Sequence, residues 1–314
     1  MVASSFWLPE QMSTIAERVD ADWDLVFWIS TFFFFLVVGL MFYFVFRYRS
    51  KPGGKASSNV THHTALEVFW TVIPCLLVVV LFWQSYKTYL HMTVPPDGAY
   101  EIQVTGQKWN WLFTYPNGWV DGDLHVWVGE PVTLILSSED VIHALYVPES
   151  RLKLDVVPGR YRKMWFEPTK AGEFDIYCAE YCGTEHSSMM SKLVVHESRD
   201  AFDVWMADAS NLHDKFPPAE VGALLYNKFG CKQCHSIDGT AGIAPTFTGL
   251  YGSRETLTTG ESILVDENYV RESILEPKAK VTAGFDPVMP TFQGRFNDDD
   301  INAIIAYLKT LEQE

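Results

Sequence analysis

Two long apolar runs near the N-terminus constrain the fold of this 314-residue chain more than any other feature. Residues 25–46 are uncharged and dominated by Phe, Leu and Val. As a helix they would measure about 33 Å, enough to cross a hydrocarbon core of about 30 Å. Residues 68–83 form a second, shorter run that can be extended to Tyr89. The sequence therefore predicts an N-terminal segment and a transmembrane helix hairpin over residues 1–95.

The charges around these runs predict how the hairpin lies in the membrane. Arg47, Arg49, Lys51 and Lys55 follow the first run, and basic loops stay on the cytoplasmic side. The N-terminal region is acidic and lacks the pattern of a cleavable signal peptide. We therefore expect a two-span protein of the cell inner or plasma membrane, with both termini and everything after about Pro95 on the periplasmic or outer side.

Beyond the hairpin the pattern changes to short β-rich runs separated by turns. No helix-period segment of any length interrupts them before residue 200. This pattern predicts an antiparallel sandwich or barrel over residues 96–200. The runs are 101–105, 125–128, 132–136, 163–166 and 191–195.

Twelve residues beginning at Cys178, Cys-Ala-Glu-Tyr-Cys-Gly-Thr-Glu-His-Ser-Ser-Met, bring together two thiols, an imidazole and a thioether. A tetrahedral zinc site would use both Cys, His186 and a distant His, leaving Met189 surplus. A mononuclear blue-copper site would leave one Cys surplus. Two copper ions bridged by Cys178 and Cys182 fit better, with His143 as the second imidazole. A disulfide and a structural zinc site are the alternatives.

This segment resembles the binuclear copper (CuA) motif of subunit II of cytochrome c oxidase. Ala179 stands where the family usually has Ser, and Tyr181 where it usually has an aliphatic residue, but neither is a ligand. The resemblance implies that the β-rich domain is a cupredoxin-like barrel. The copper ligands that it implies are His143, Cys178, the main-chain carbonyl of Glu180, Cys182, His186 and Met189.

The same resemblance implies roles for residues outside the copper motif. Glu67 falls at the mouth of a proton channel into subunit I, although a carboxylate at the interface that simply reaches water is the alternative. Asp155 and Arg160 fall in a segment that faces subunit I, with a plain turn as the alternative. The carboxylate of Glu180 falls on a magnesium ligand at the subunit boundary.

An aromatic stretch before the second β-rich run also resembles the family. Trp109 falls on the tryptophan that takes electrons from cytochrome c. Asn110 stands where the family commonly has Tyr, which weakens any claim that an aromatic chain continues there. For Trp111 we expect ordinary packing in the barrel.

Residues 201–218 form a polar segment that ends in Phe-Pro-Pro and is typical of a linker. A second cofactor-binding motif follows it. Cys231-Lys-Gln-Cys-His is the haem c attachment signature. In such a motif Cys231 and Cys234 bond covalently to the haem vinyl groups, and His235 becomes the proximal iron ligand.

Residues 219–314 resemble a class I cytochrome c. Residues 218–229 are predicted to form the helix that leads into the attachment motif, and 298–311 the terminal helix, with Asp298 or Asp299 as its N-cap. The resemblance implies that these helices cross near Gly222, Tyr226 and Tyr307. It also implies that Met289 is the second axial ligand.

The three modules together predict an electron-transfer protein: a multidomain membrane protein with a helix hairpin, an all-β domain and an all-α domain. The net charge of −15 argues against nucleic acid and for partners with basic surfaces. The whole chain resembles subunit II of haem–copper oxidases with a fused cytochrome c domain. That resemblance implies that electrons pass from an external cytochrome c through haem c and CuA to subunit I, where oxygen is reduced to water with proton pumping. The alternatives are the CuA electron-entry subunit of a nitric oxide reductase and a copper-handling protein.

Overall fold

The structure is a computed structural model that describes residues 7–49, 52–53, 58 and 60–311. Lys51 and Lys55, part of the predicted basic loop, lie outside the described residues. The chain divides into two compact units. Residues Thr14–Val94 form one, and the described residues on either side of them form the other.

The first unit is a hairpin of two helices, α1 (Thr14–Arg47) and α2 (Thr64–Thr93). Both are long and apolar enough to cross a membrane, and neither buries any residue of its most apolar window inside the protein. Such a surface is stable against lipid hydrocarbon. At 34 and 30 residues the helices extend well beyond the two predicted apolar runs.

The second unit begins with a β-domain whose described strands form two sheets. These strands are β1 (Tyr100–Gln107), β2 (Asn110–Thr114), β3 (Val120–Asp121), β4 (Leu124–Trp127), β5 (Val132–Ser138), β6 (His143–Val147), β7 (Leu152–Val156), β8 (Arg162–Phe166), β9 (Gly172–Cys178) and β10 (Met190–His196). One sheet has the order β3-β2-β1-β5-β8, and the other has the order β4-β10-β9-β6-β7. All five predicted runs lie within or overlap strands of these sheets.

Two strand pairs correct the antiparallel prediction. β1 pairs with β5 in parallel, with Ile102 opposite Leu134. β10 pairs with β4 in parallel, with Leu193 opposite Leu124. All four of these side chains are buried between the sheets. A run of alternating apolar residues reports which face is buried but not the direction of the neighbouring strand, so the sequence pattern could not reveal the crossovers.

A helical connector, α3 (Arg199–Ala209) and α4 (Leu212–Lys215), follows the barrel and begins two residues before the predicted linker. Phe202 of α3 is buried, and its ring lies 4.7 Å from that of Trp127. Trp205 stacks on His125 with 3.7 Å between ring centroids. The Arg199 guanidinium lies 4.6 Å from the Trp127 ring. α3 is therefore fastened to the barrel. The boundaries 96–200, 201–218 and 219–314 stay predictions.

The C-terminal part contains α5 (Pro218–Lys228), a short hairpin of β11 (Arg254–Thr256) and β12 (Ser262–Leu264), α6 (Glu267–Leu275) and α7 (Asp298–Thr310). α5 and α7 cross at Gly222, where an added Cβ would lie 2.1 Å from the Ala303 carbonyl oxygen. The rings of Tyr226 and Tyr307 lie 5.7 Å apart beside the crossing. The predicted crossing is therefore confirmed.

The predicted N-cap of the terminal helix is wrong by one or two positions. Asn297 is the N-cap: its side chain accepts from the main-chain N–H of Asp300, and the Asp300 carboxylate accepts from that of Asn297. This reciprocal pair satisfies two helix-terminal donors at once. Asp298 and Asp299 are instead in the first turn, where negative charge complements the helix dipole.

Candidate metal centre and haem cavity

The predicted metal ligands come from neighbouring strand ends of one sheet. His143 begins β6 and Cys178 ends the adjacent β9. The His143 Nδ1 and Cys178 Sγ atoms are 3.9 Å apart, and the two thiol sulfurs of Cys178 and Cys182 are 3.8 Å apart. One ligand atom from each of these three buried residues falls within 4.8 Å of the other two.

The loop after β9 brings the other predicted donors to the same place. The Cys182 Sγ lies 3.5 Å from His186 Nδ1 and 3.8 Å from Met189 Sδ. The Cys178 Sγ lies 3.3 Å from the carbonyl oxygen of Glu180. Each of the two thiols therefore has an imidazole close by, and a thioether and a main-chain carbonyl lie beside the same pair of sulfurs.

Asp140 orients His143 and was missed in the sequence. Its carboxylate lies 2.8 Å from His143 Nε2 and accepts from the main-chain N–H groups of Lys108 and Val141. Burial would raise the pKa of Asp140, but these hydrogen bonds outweigh burial and lower it. The His143 ring is held with Nδ1 toward the thiols. An acidic residue three positions before a predicted ligand is the only signal that the sequence offered.

The chemistry of the donors fits copper. Burial raises the pKa of Cys178, but hydrogen bonds from His143 and the main chain bring it down to about 6. Burial and the neighbouring Cys178 charge raise the pKa of Cys182 to about 12. Two ionised thiols this close need a cation between them. Both thiols are free, which excludes a disulfide in this structure. Met189, fully buried against Cys182, is a soft donor suited to copper rather than zinc.

Trp109 lies directly against this loop. Its indole Nε1 donates to the carbonyl of Cys182 over 3.2 Å. Gly183 has φ +126°, and a Cβ there would lie 3.0 Å from the indole. Only 5% of Trp109 is exposed. Trp111 is fully buried, with its ring 5.9 Å from that of His143, so it packs as expected.

A large apolar cavity opens in the C-terminal part and encloses about 1290 Å³ when its mouth is included. All four predicted haem residues line it: Cys231, Cys234, His235 and Met289. Most other lining side chains are apolar, among them Phe229, Phe247, Leu250, Val265, Phe292 and Leu308.

His235 is prepared to bind a metal through Nε2. Its Nδ1 lies 2.8 Å from the carbonyl oxygen of Pro245, which can only accept, so Nδ1 carries the proton. Burial lowers the pKa of His235 to about 4, so the ring is neutral at pH 7. Its ring stacks on Phe247 at 4.4 Å. Burial raises the pKa of both Cys231 and Cys234. The residues present fit a haem.

The remaining predicted residues lie elsewhere. Glu67, in the first turn of α2, accepts through its carboxylate from the main-chain N–H of His63 over 3.0 Å. Asp155 of β7 pairs with Ala144, next to His143 in sequence, and is half-buried. Arg160 is exposed in the turn after β7, where its main-chain N–H donates to Val157. The Glu180 side chain is exposed.

Comparisons with known proteins agree with this arrangement. Residues 2–88 match the family described as "Cytochrome C oxidase subunit II, transmembrane domain", residues 118–197 its periplasmic domain, and residues 219–312 "Cytochrome c". A cytochrome c oxidase subunit 2 of Alkalihalophilus pseudofirmus is 34% identical over 291 residues, covering 88% of this chain and 82% of that protein. The chain belongs to the cytochrome c oxidase subunit II family.

Two further relatives of this subunit II are similar over shorter stretches. An alternative cytochrome c oxidase subunit 2 of Bradyrhizobium diazoefficiens is 32% identical over 64% of this chain and 83% of its own. The crystal structure of the periplasmic domain of subunit II from Bradyrhizobium japonicum is 29% identical, with a TM-score of 0.36, covering 38% of this chain and 98% of that one.

Family membership confirms the coarse predictions. This subunit II is part of an oxidoreductase, and its matched domains are those of a copper-binding barrel and a haem-binding cytochrome c. The fold class of membrane hairpin, cupredoxin-like barrel and α-helical cytochrome domain is confirmed. The chain is a membrane protein with an extracellular domain, it functions with other oxidase subunits, and it has an electron-entry role.

Proposed function

We propose that this chain receives electrons from an external cytochrome c at a covalently bound haem c. They would pass through a binuclear CuA centre to subunit I, for reduction of oxygen to water with proton pumping. One observation carries the proposal: two thiols, two imidazoles and a thioether converge in the same unit as an apolar cavity lined by the haem attachment motif and Met289. A metal-storage protein would have no use for the second site.

The proposed ligands follow from the donor geometry. The copper pair would be held by His143, Cys178, Cys182, His186, Met189 and the Glu180 carbonyl, and the haem by Cys231, Cys234, His235 and Met289. When bound, each centre would accept and release one electron at a time.

The residues of the chain hold these donors in place. Asp140 fixes the His143 ring through Nε2, and Pro245 fixes that of His235 through Nδ1. Trp109 anchors the loop between β9 and β10, residues 179–189, through the Cys182 carbonyl. We call this segment the copper loop. Because strand ends and main-chain groups supply most of these contacts, the donor positions change little between redox states, which favours rapid electron transfer.

The partner and proton roles are part of the same proposal. Asp155 and Arg160 would contact subunit I, and the Glu180 carboxylate would bind magnesium at that boundary. Glu67 would admit protons on the cytoplasmic side, although it also caps the start of α2. Both termini would lie on the periplasmic or outer side.

Metal analysis of the assembled complex tests the proposal. We expect the unmodified complex to hold about two more copper atoms per haem c iron than the Cys182→Ser variant and to hold no zinc, since a thioether and bridging thiolates suit copper. Copper bound by subunit I cancels in this comparison. Cys182→Ser should lose copper and keep haem. Cys75→Ser, which removes a thiol of α2 outside the site, is the matched control and should keep both.

Two results would contradict the proposal. Zinc in place of copper would reduce the loop to a structural site. Copper-loaded complex that reduces nitric oxide but takes up no oxygen would place the chain with a nitric oxide reductase.

A further inference from the structure

The haem-binding part of the second unit, residues 218–311, packs against the barrel. We call it the haem part. Leu112 of β2 is 1% exposed and belongs to the same buried apolar cluster as Phe229 after α5. Three residues at the β1–β2 turn, Gln107, Lys108 and Asn110, line the haem cavity itself. The barrel therefore forms one wall of that cavity.

Two glycines allow the main chains to approach each other across this boundary. Gly230 has φ +77°, and a Cβ there would lie 2.8 Å from both Cβ and Cγ of Asn110. On the barrel, a Cβ at Gly122 would lie 2.0 Å from the carbonyl oxygen of Lys228. The Asn110 amide reaches the same carbonyl over 3.4 Å. Neither surface leaves room for a larger side chain.

The haem-attachment motif also contacts the copper loop directly. Gln233, between Cys231 and Cys234, donates through Nε2 to the carbonyl of Ser188 over 3.1 Å. Ser188 immediately precedes Met189, one of the proposed copper ligands. The two proposed cofactor-binding segments therefore share a hydrogen bond.

Charged pairs complete the boundary. Lys228 Nζ lies 2.7 Å from Asp121, whose side chain is fully buried. Arg295 donates to Gln107 over 2.5 Å and pairs with Glu139. We call the boundary the docking contact. Its members are Gln107, Asn110, Leu112, Asp121, Gly122, Glu139 and Ser188 of the barrel, and Lys228, Gly230, Gln233 and Arg295 of the haem part.

Trp109 lies between two residues that line the haem cavity. Its neighbours Lys108 and Asn110 line the haem cavity, whereas its indole donates to Cys182 in the copper loop. With 5% of its surface exposed, it has almost no face left for a soluble protein to touch.

We propose that the docking contact closes Trp109 to soluble electron carriers, so that only the haem part of the same chain can reach it. Asn110 is the positioning residue, because a large side chain there would occupy the space into which Gly230 fits. The inference rests on the proposed function, since it presumes a haem in the cavity and copper at the loop. It gives a physical reason for the Asn that departs from the aromatic residue common in the family.

Hydroxyl-radical footprinting of the assembled complex, read residue by residue by mass spectrometry, tests this directly. In the unmodified chain we expect Trp109 to be protected like the fully buried Trp111, while Trp7, which is 64% exposed, is labelled. Asn110→Tyr should raise labelling of Trp109 several-fold and leave Trp111 protected. In the same samples, the rate of electron transfer from haem iron to copper should also be measured. In this step one electron oxidises the iron and reduces the copper, and its rate should fall by about an order of magnitude or more in Asn110→Tyr.

Two controls separate bulk from other effects. Asn110→Ala removes the hydrogen bond to Lys228 without adding volume and should keep Trp109 protected. Asn117→Tyr makes the same substitution in an exposed turn of the barrel and should change neither readout.

A second variant decides the case if Asn110→Tyr also exposes Trp111, which would indicate a damaged barrel. Lys228→Glu with Arg295→Glu places negative charge opposite Asp121 and Glu139 without altering the barrel, and should expose Trp109 alone. Labelling of Trp109 as strong as that of Trp7 in the unmodified, copper-loaded chain would overturn the inference and leave the proposed function standing. Absence of copper with Trp109 still protected would overturn the proposed function, and the electron route with it, while the docking contact itself would stand.

Discussion

The copper loop and the haem cavity lie in the same unit and differ in how their donor atoms are held. In the copper loop, His186 Nδ1 and Met189 Sδ lie 3.5 and 3.8 Å from the Cys182 sulfur along one short loop. In the haem cavity, the donors of His235 and Met289 come from loops far apart in sequence that line one apolar space. In the copper loop, neighbouring main-chain segments already bring the donors together, whereas the haem cavity needs its cofactor to complete an apolar core.

Loss of haem attachment should have the largest effect. Cys231→Ser with Cys234→Ser leaves the apolar cavity without its contents, and the haem part should lose most of its hydrogen-exchange protection because the cluster around Phe229 loses its central contacts. Barrel strands should stay protected. Exchange measured on the full chain in membranes checks this.

Removal of copper is the matched comparison. Chelation should lower the melting temperature of the barrel, by an amount that depends on free copper, and leave its exchange pattern native. If both parts unfolded equally on losing their metals, the contrast between a prebuilt loop and a cofactor-dependent core would be wrong.

Gly222→Ala should come next. Its Cβ would lie 2.1 Å from the Ala303 carbonyl oxygen, and main-chain atoms cannot move aside cheaply. We expect a loss of about 3 kcal/mol in the unfolding free energy of the haem part. Denaturant unfolding followed by haem absorbance measures it. Gly242→Ala, whose Cβ would meet only the Cys234 carbonyl oxygen at 3.6 Å, is the control and should be nearly neutral.

Asp140→Asn should weaken copper binding by about 10–100-fold, because residues that orient metal-binding His commonly contribute that much. Competition with a copper chelator measures the affinity. The control is Asp175→Asn, which removes the Asp175 carboxylate that pairs with Lys192 away from the loop. Equal affinities in the two variants would show that the barrel holds His143 without help.

The smallest effect concerns His125, a buried residue of the barrel that pairs with the half-buried His196. Burial, the Lys228 charge and His196 lower the pKa of His125 from 6.5 to about 3. The unfolded state therefore binds the proton more readily, so the stabilisation is complete above pH 6.5 and is lost as pH falls toward 3. At pH 5 the loss is up to about 2 kcal/mol.

His125→Asn should flatten that part of the pH profile, as measured by unfolding between pH 7 and 5. His213→Asn replaces a more exposed His paired with Asp300 and serves as the comparison. An unchanged profile in the His125 variant would mean that this ring is not the group that titrates.

Sequence reasoning succeeded where the chemistry is local. Cys178, Cys182, His186 and Met189 lie within twelve positions, so spacing alone predicted that they meet. His143 required only a β-type run that would deliver it to the same sheet end. The attachment motif and the terminal helices were equally compact signals.

Sequence reasoning missed the features that depend on contacts between residues far apart in the chain. The role of Asp140 depends on how the His143 ring is turned. Arg295 meets Gln107 across 188 positions, and no pattern links them. In the sequence, Asn110 was visible only as a departure from the residue common in the family. Its close contact with Gly230 appears only in the structure. The parallel pairing of β1 with β5 depends on chain crossovers that alternation does not encode.

The fastening of α3 to the barrel has a kinetic consequence. With Arg199, Phe202 and Trp205 packed on barrel aromatics, only eight residues, 210–217, separate α3 from α5, and they can span at most about 28 Å. A tether this short holds the haem part at an effective concentration in the millimolar range. After any transient separation it would rebind before a micromolar carrier could take its place.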